Sequence, residues 1–309
     1  CLGLSGFIFS LDRSLKQSMH IVHTIAELRQ ALSSSAQPAF VPTMGNLHRG
    51  HLSLLKQAST LGDCTVASIF VNRLQFLPHE DFDSYPRTWQ ADCDALESVH
   101  CDILFAPREH DLYPEPQRYK VMADPVLASK LEGSFRPGFF DGVCTVVLKL
   151  FNAVFAGKPK GFAVFGKKDY QQLKVIEAMT KQFALPIDIV AGETARDHDG
   201  LALSSRNGYL SAQERLKAAA LYKHLLALSQ AYQTLSGDQP VAAWCLAAEH
   251  DATRGLSELG WQVDYVSVRR RVDLEPPIDS QGQPIAKDSL LVLAAAKLGQ
   301  TRLIDNLEF

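Results

Sequence analysis

Residues 39–60 read AFVPTMGNLHRGHLSLLKQAST: an apolar run of strand length at 39–43, a polar turn, and a helical stripe from 48. The next run, CTVASIFV (64–71), is again strand-like. A strand, helix and strand joined by short connections make a βαβ unit, which sets the two strands parallel and puts the turn at the sheet's carboxyl edge. Outward from this unit the alternation continues. Residues 89–99 read as a helix, 101–107 as a strand, 119–125 as a further strand and VLASKLEG (126–133) as a short helix. The run 142–155 has the length and leucine content of a long buried helix despite its β-branched residues. A strand at 161–166, a helix at 170–183 and a strand at 186–192 complete the series. Upstream, MHIVHTIAELRQAL from Met19 reads as a short strand and a helix, which leaves residues 1–18 as an N-terminal extension. The predicted fold class is α/β, a Rossmann-like doubly wound parallel sheet over 19–192.

Beyond residue 193 the pattern changes to a smaller α+β module, 193–309. Ser211 and Glu214 have capping-box spacing and open a helix over 211–235. Residues 239–260 read as one or two helices, 261–276 as a strand, 288–299 as a strand or buried helical piece, and 301–309 as a short strand. PPIDSQGQP (276–284) reads as an exposed turn-rich insert.

Composition narrows the function classes. At 309 residues the chain has room for about two domains. With 46% hydrophobic and 21% charged residues it is of ordinary globular type rather than disordered or collagen-like. Its 31 basic and 34 acidic residues give a net charge of -3, so no bulk basic field attracts nucleic acid or a membrane surface, and a small anionic substrate fits better. The six cysteines form no CxxC or zinc spacing and read as reduced thiols. The opening segment carries no basic residue ahead of its apolar stretch, and neither a signal peptide nor an anchor is expected.

Two strand-to-helix junctions carry the sharpest chemistry. In Pro42-Thr43-Met44-Gly45-Asn46-Leu47-His48-Arg49-Gly50-His51, an opening helix offers unpaired N–H groups to phosphate. His48 and His51 share its first turn, where imidazoles can stabilise developing charge. An ordinary polar helix start with surface histidines is the alternative. The second junction is Gly166-Lys167-Lys168-Asp169-Tyr170-Gln171-Gln172, where Lys168 can neutralise phosphate and Asp169 can cap the helix. Asn72 and Gln75, beyond the strand at 64–71, suit hydroxyl and carboxylate recognition or plain loop capping. Asp92 and Asp94 can help hold magnesium beside a nucleotide or can simply form a solvated helix face. Ser204-Ser205-Arg206-Asn207 suits a polyphosphate, or serves only as an interdomain linker, and Arg136 lies in a turn from which it can reach an anion. No Walker loop is present.

In order, PTMGNLHRGH, SIFVNRLQF, YPRT, LEG followed by RPG, FGKKDYQQL and DGLALSSRN closely resemble the pantothenate synthetase (pantoate-beta-alanine ligase) family over most of Met19 to Phe309. The family's HxGH motif is of the kind shared with nucleotidyltransferases and class I aminoacyl-transfer RNA synthetases. The resemblance implies a cytoplasmic, homodimeric, magnesium-dependent enzyme. It would join (R)-pantoate to beta-alanine through an enzyme-bound pantoyl adenylate, releasing pyrophosphate and AMP. It implies His48, His51, Lys168 and Arg206 as the catalytic set. Pro42, Thr43, Met44, Gly45, Gly50, Gly166, Asp169, Ala195, Ser204 and Ser205 would join them around ATP. Asn72, Gln75 and Gln172 would hold pantoate, Asp92 would place Mg2+, and Arg136 would organise the substrate site. Departures from the family's usual pattern are Arg73 where proline is normal, Phe139 in place of histidine, and Arg196-Asp197-His198-Asp199-Gly200. The alternatives are a small-molecule nucleotidyltransferase, which would not need the amides at 72, 75 and 171–172, and a nucleotide sensor without turnover.

Overall fold

The structure is a computed structural model that describes residues 18–78, 80–235, 241–278 and 289–309. All but the last residue of the expected 1–18 extension, and residues 279–284 of the turn-rich insert, lie outside the described residues. Strands β1 (His20–Val22), β2 (Pro38–Thr43), β3 (Cys64–Ile69), β4 (Ile103–Phe105), β5 (Gly161–Gly166) and β6 (Ile187–Gly192) form one parallel sheet in the order β1-β4-β3-β2-β5-β6. From β2 the chain builds outward through β3 to β4, then returns to the other side of β2 and continues to β6. The reversal falls between β2 and β5, and their carboxyl ends flank the crevice where open α/β sheets bind ligands.

Strand alternation feeds two cores. Phe40, Val66, Phe105, Ala163 and Phe165 face one layer, built by helices α1 (Ile25–Ala31), α7 (Phe139–Phe155) and α8 (Tyr170–Gln182). Ala39, Val41, Ala67, Leu104 and Val164 face the other, covered by α2 (Arg49–Ala58) and α3 (Trp89–Ser98). Because both sheet faces are covered, these strands read as continuous apolar runs. The 142–155 expectation is met by α7, whose Phe151 and Phe155 set their edges against Phe40. Between β4 and α7 lie three four-residue helices, α4 (Glu109–Leu112), α5 (Pro125–Ala128) and α6 (Glu132–Phe135). The strand expected at 119–125 does not form. Its inward N–H groups bond to side chains of α7 instead: Val121 donates to Thr145 Oγ1 at 3.0 Å and Ala123 to Asp141 Oδ1 at 2.8 Å. A helix side cannot supply the ladder that makes an extended segment a strand.

In the second module, the segment 211–235 resolves into α9 (Ala212–Ala218) and α10 (Ala220–Gln233), which meet at Ala219. The Ser211 capping box is in place, with Glu214 N–H donating to Ser211 Oγ at 3.3 Å and Ser211 N–H to Glu214 Oε2 at 2.8 Å. Helix α11 (Val241–Glu258) is single. Strands β7 (Trp261–Arg270), β8 (Leu290–Leu298) and β9 (Thr301–Glu308) form an antiparallel sheet. One face packs on α10 and α11 through Val292, Ala294 and Ala296, while Leu291 and Leu293 of the other face meet Leu131 and Tyr170 of the first module. Burial on both faces explains why the sequence of β8 does not alternate.

Polar contacts brace the second module and tie it to the first over the crevice. Arg196 makes a two-pronged pair with the buried Asp305 at 2.7 and 2.9 Å and lies 4.0 Å over the Tyr222 ring. Arg302 pairs both nitrogens with Glu132 at 2.8 Å, and Tyr265 donates to the same carboxylate at 2.9 Å. Asn306 donates to the carbonyls of Lys167 and Lys168, each at 2.8 Å, so β9 holds the turn after β5. Removing one member of a buried ion pair leaves the other uncompensated. Asp305→Ala should therefore lower stability by about 3–5 kcal/mol in urea unfolding, and a loss under about 1 kcal/mol would contradict this role for the pair.

Candidate active site

The loop after β2 is held from behind. Asp92, on α3 and almost fully buried, accepts from Asn46 N–H at 2.9 Å and Leu47 N–H at 2.7 Å, and takes the Thr88 hydroxyl at 3.1 Å. Thr43 adds a second tie, donating to the Ser68 carbonyl and accepting from Gly45 N–H at 3.2 Å. These bonds start α2 directly beyond the end of β2. His48 is its N-cap: Nδ1 accepts from Gly50 N–H at 3.1 Å, and His51 Nδ1 accepts in return from His48 N–H at 3.3 Å. A side chain at position 50 would run into the His48 ring, so glycine is what lets that ring fold over the helix end.

The histidine pair has one protonation state in this setting. Burial, then the Lys168 charge, pushes His48 down to about 4; burial, then His48 and Lys168, pushes His51 down to about 3. Both rings are neutral near pH 7, and since Nδ1 accepts in each, the proton resides on Nε2. The rings lie 4.1 Å apart, centre to centre. Each ring thus presents an N–H donor without carrying charge.

The crevice is a cavity of about 810 Å³ between the sheet's carboxyl edge and the second module. Most of the expected residues line it. From the β2 junction come Pro42, Thr43, Met44, His48, Gly50 and His51, and from the β5 junction Gly166, Lys168, Asp169 and Gln172. Ala195, Ser204, Ser205 and Arg206 close the far side, with Gln75 and Arg136 on the near wall. Lys168 Nζ stands 3.7 Å from Asp169 Oδ2.

Three expected site residues sit behind the wall. Gly45 packs against the Asp92 carboxylate as part of the loop's support. Asn72 is almost fully buried. It donates to Gln75 Oε1 at 3.2 Å and to the Gly142 carbonyl at 3.1 Å, so it supports Gln75 rather than facing a substrate. Asp92 does not meet the metal-holding expectation: both its oxygens accept bonds that shape the loop, and it is absent from the crevice lining. Among the described residues no three His, Cys, Asp or Glu side chains converge as a metal cage.

Other participants are not visible in the sequence. Arg136 is clamped by Glu80 at 2.6 and 2.7 Å, and Arg206 by Asp81 at 2.9 and 3.2 Å. Burial pushes these two carboxyls up, yet Arg136 and Arg206 hold them below the usual carboxylate range. Gln171 is occupied in pinning the 127–132 turn, donating to the Leu127 and Lys130 carbonyls and accepting from Glu132 N–H. Acids next to each other in a polar stretch carry no local signal of which distant arginines they meet.

The family model described as pantoate-beta-alanine ligase matches residues 20–308. The chain belongs to this family. It is similar to the pantothenate synthetase of Paracidovorax citrulli (strain AAC00-1), with 64% identity over 293 residues, 94% of this chain and all of that protein. It is likewise similar to that of Verminephrobacter eiseniae (strain EF01-2), with 60% identity over 291 residues and the same coverage. Among solved structures, pantothenate synthetase from Thermus thermophilus superposes with a TM-score of 0.84 at 41% identity, covering 94% of this chain and 99% of that one. A Francisella tularensis pantoate-beta-alanine ligase complexed with beta-gamma ATP and beta-alanine gives a TM-score of 0.75 at 31% identity, covering 94% and 97%.

In this member of the pantoate-beta-alanine ligase family, the departures at 73 and 139 have defined places. The Arg73 guanidinium stacks 3.9 Å over the Phe82 ring and lies 3.6 Å from Glu109, tying the turn that bears Gln75 to the segment that bears Glu80 and Asp81. Phe139 lies 3.8 Å beneath the Arg136 guanidinium. His198 is exposed beside Asp197, whose carboxylate pairs with Arg215 at 2.7 Å and Arg49 at 3.3 Å. The histidine pair gives a pH prediction. An unfolded histidine protonates near pH 6.5, whereas the folded pair resists protonation to about 4 or below, so the unfolded chain binds more protons in between. Stability supplied by the neutral pair is therefore complete above pH 6.5 and lost as pH falls toward 4. Thermal melts should show this fall, and a His48→Gln/His51→Gln variant should flatten it; equal slopes in both proteins would contradict the buried neutral pair.

Proposed function

We propose that the chain joins (R)-pantoate to beta-alanine at the expense of ATP, forming pantothenate, AMP and pyrophosphate through a pantoyl adenylate held in the crevice. The observation that carries this reading is the joining, in one cavity, of a neutral imidazole pair and Lys168 at a helix start with the amides Gln75 and Gln172. The first group suits a triphosphate, and the amides suit a small polyhydroxy acid. A nucleotidyltransferase would need no such amide wall. In the first step a pantoate carboxylate oxygen attacks the α-phosphorus and the bond to pyrophosphate breaks. In the second, the free amine of beta-alanine attacks the acyl carbon, AMP leaves with the bridging oxygen, and the nitrogen loses a proton.

Neither step calls for a covalent bond to the protein, so positioning and charge stabilisation carry the chemistry. His48 and His51 donate from Nε2 to phosphate oxygens, and Lys168 adds a full charge beside them. Ser204, Ser205 and Arg206 take the departing pyrophosphate, which requires Arg206 to exchange Asp81 for phosphate. Asp169, half exposed at the mouth, accepts from ribose hydroxyls, while Met44, Gly166 and Ala195 border the nucleotide. Arg136, clamped to Glu80 and donating to the Gln75 carbonyl at 3.1 Å, keeps the pantoate wall in place. Magnesium would come with the nucleotide and would neutralise phosphate charge; the Asp92 carboxylate, taken up by the loop, would not hold it directly.

The working assembly on this reading is a cytoplasmic homodimer. No helix among the described residues is long and apolar enough to cross a membrane. Tyr119, Met122 and Val126 leave apolar surface open on the first module, which suits a second copy. The test is exchange of labelled pyrophosphate into ATP. It should require pantoate and proceed without beta-alanine, and Lys168→Ala should slow it by about 100-fold or more. Exchange that ignores pantoate would contradict the reading.

A further inference from the structure

Gln75 reaches the crevice from a short turn, and which end of its amide it shows there is decided by atoms outside the crevice. The Gly142 carbonyl oxygen can only accept a hydrogen bond. It lies 3.1 Å from the Asn72 amide, so the Asn72 group facing it is the NH2. The same NH2 is 3.2 Å from the Gln75 amide, which must turn its oxygen inward. The NH2 of Gln75 is left on the crevice side, 3.1 Å from the Met44 sulfur. Helix α7 comes this close because residue 142 is glycine: a Cβ there would run into the backbone of Leu74 and Gln75.

One Asn72 atom remains to be satisfied. Its Oδ1 accepts from the Tyr113 hydroxyl at 3.0 Å. The Tyr113 ring is itself fixed, with Phe70 at 5.9 Å between centres and the Lys149 ammonium 4.6 Å over its face. We infer that Tyr113 is a positioning residue which, through the buried Asn72, holds Gln75 as a hydrogen-bond donor to the oxygens of pantoate. This rests on the pantoate reading of the crevice. A donor at this wall favours a substrate with carboxylate or hydroxyl oxygens and rejects one that presents N–H groups there. Without the hydroxyl, Asn72 Oδ1 is a buried acceptor lacking a partner; the side chain relieves that penalty by swinging away and frees Gln75.

The test is Tyr113→Phe, which removes one oxygen and keeps the ring, compared with Tyr113→Leu, which removes the ring. In Tyr113→Phe the pantoate KM should rise about tenfold, while the ATP KM stays within about twofold and the melting temperature falls by about 2–4 °C, as expected for one lost buried hydrogen bond. A pantoate KM unchanged in Tyr113→Phe, with only Tyr113→Leu losing stability, would mark Tyr113 as a core filler and overturn the inference. A parallel rise in both KM values would overturn it as well, since general loosening of the crevice predicts that pattern. Failure of the underlying reading looks different: the parent protein itself would then show no pantoate-dependent pyrophosphate release, and both conclusions would fall.

Discussion

A buried carboxylate with two backbone N–H groups on it sets up this site. Asp92 reaches from α3 to Asn46 and Leu47, and through them determines where α2 begins relative to the end of β2. A carboxylate in such a place is tolerated because its oxygens are bonded, and the bonds are strong because water is excluded. The consequence is geometric: the open end of a helix stands at the reversal point of a parallel sheet, with both histidines in its first turn. The β5 junction is held in the same spirit from the opposite side, by Asn306 of β9 on two backbone carbonyls. Each of the two turns is thus held by a side chain from another element, Asp92 behind the first and Asn306 beside the second.

This arrangement favours chemistry done by orientation. Neutral imidazoles held in one tautomer can donate to phosphate oxygens without reorganising as charge develops, and the nearby Lys168 supplies the charge they lack. The arginines of the rim are treated differently. Arg136 and Arg206 are both paired with acids of one segment, Glu80 and Asp81, and so bind that segment to the crevice.

Much of the fold is legible from residue periodicity, because strands covered on both faces and helices with one apolar stripe leave different patterns. The parallel series from β2 to β6 follows from the run lengths, and α9 from the Ser211 and Glu214 spacing. The 119–125 segment reads as a strand although it is none, because an extended, apolar-alternating stretch looks the same whether its neighbour is a strand or the side of α7. For β8, burial against two different layers erases the alternation. In the site, the residues expected at 48, 51, 75, 168 and 172 line the crevice. What sequence does not distinguish is a polar residue facing the cavity from one facing the loop behind it: Asn72 and Asp92 have the right chemistry for a substrate or a metal but bond to the protein. Tyr113, Glu80 and Asp81 act across long sequence separations, and only the folded chain brings them to their partners.

The account as a whole rests on transfer of an acyl group through an adenylate assembled by positioning alone. The direct test is turnover of pantoate labelled with oxygen-18 in its carboxylate, in the presence of ATP, magnesium and beta-alanine, with mass analysis of the nucleotide and phosphate products. One labelled oxygen should appear in AMP for each pantothenate formed. Unlabelled AMP, or label recovered in pyrophosphate or inorganic phosphate, would contradict attack at the α-phosphorus and with it the role assigned to this crevice.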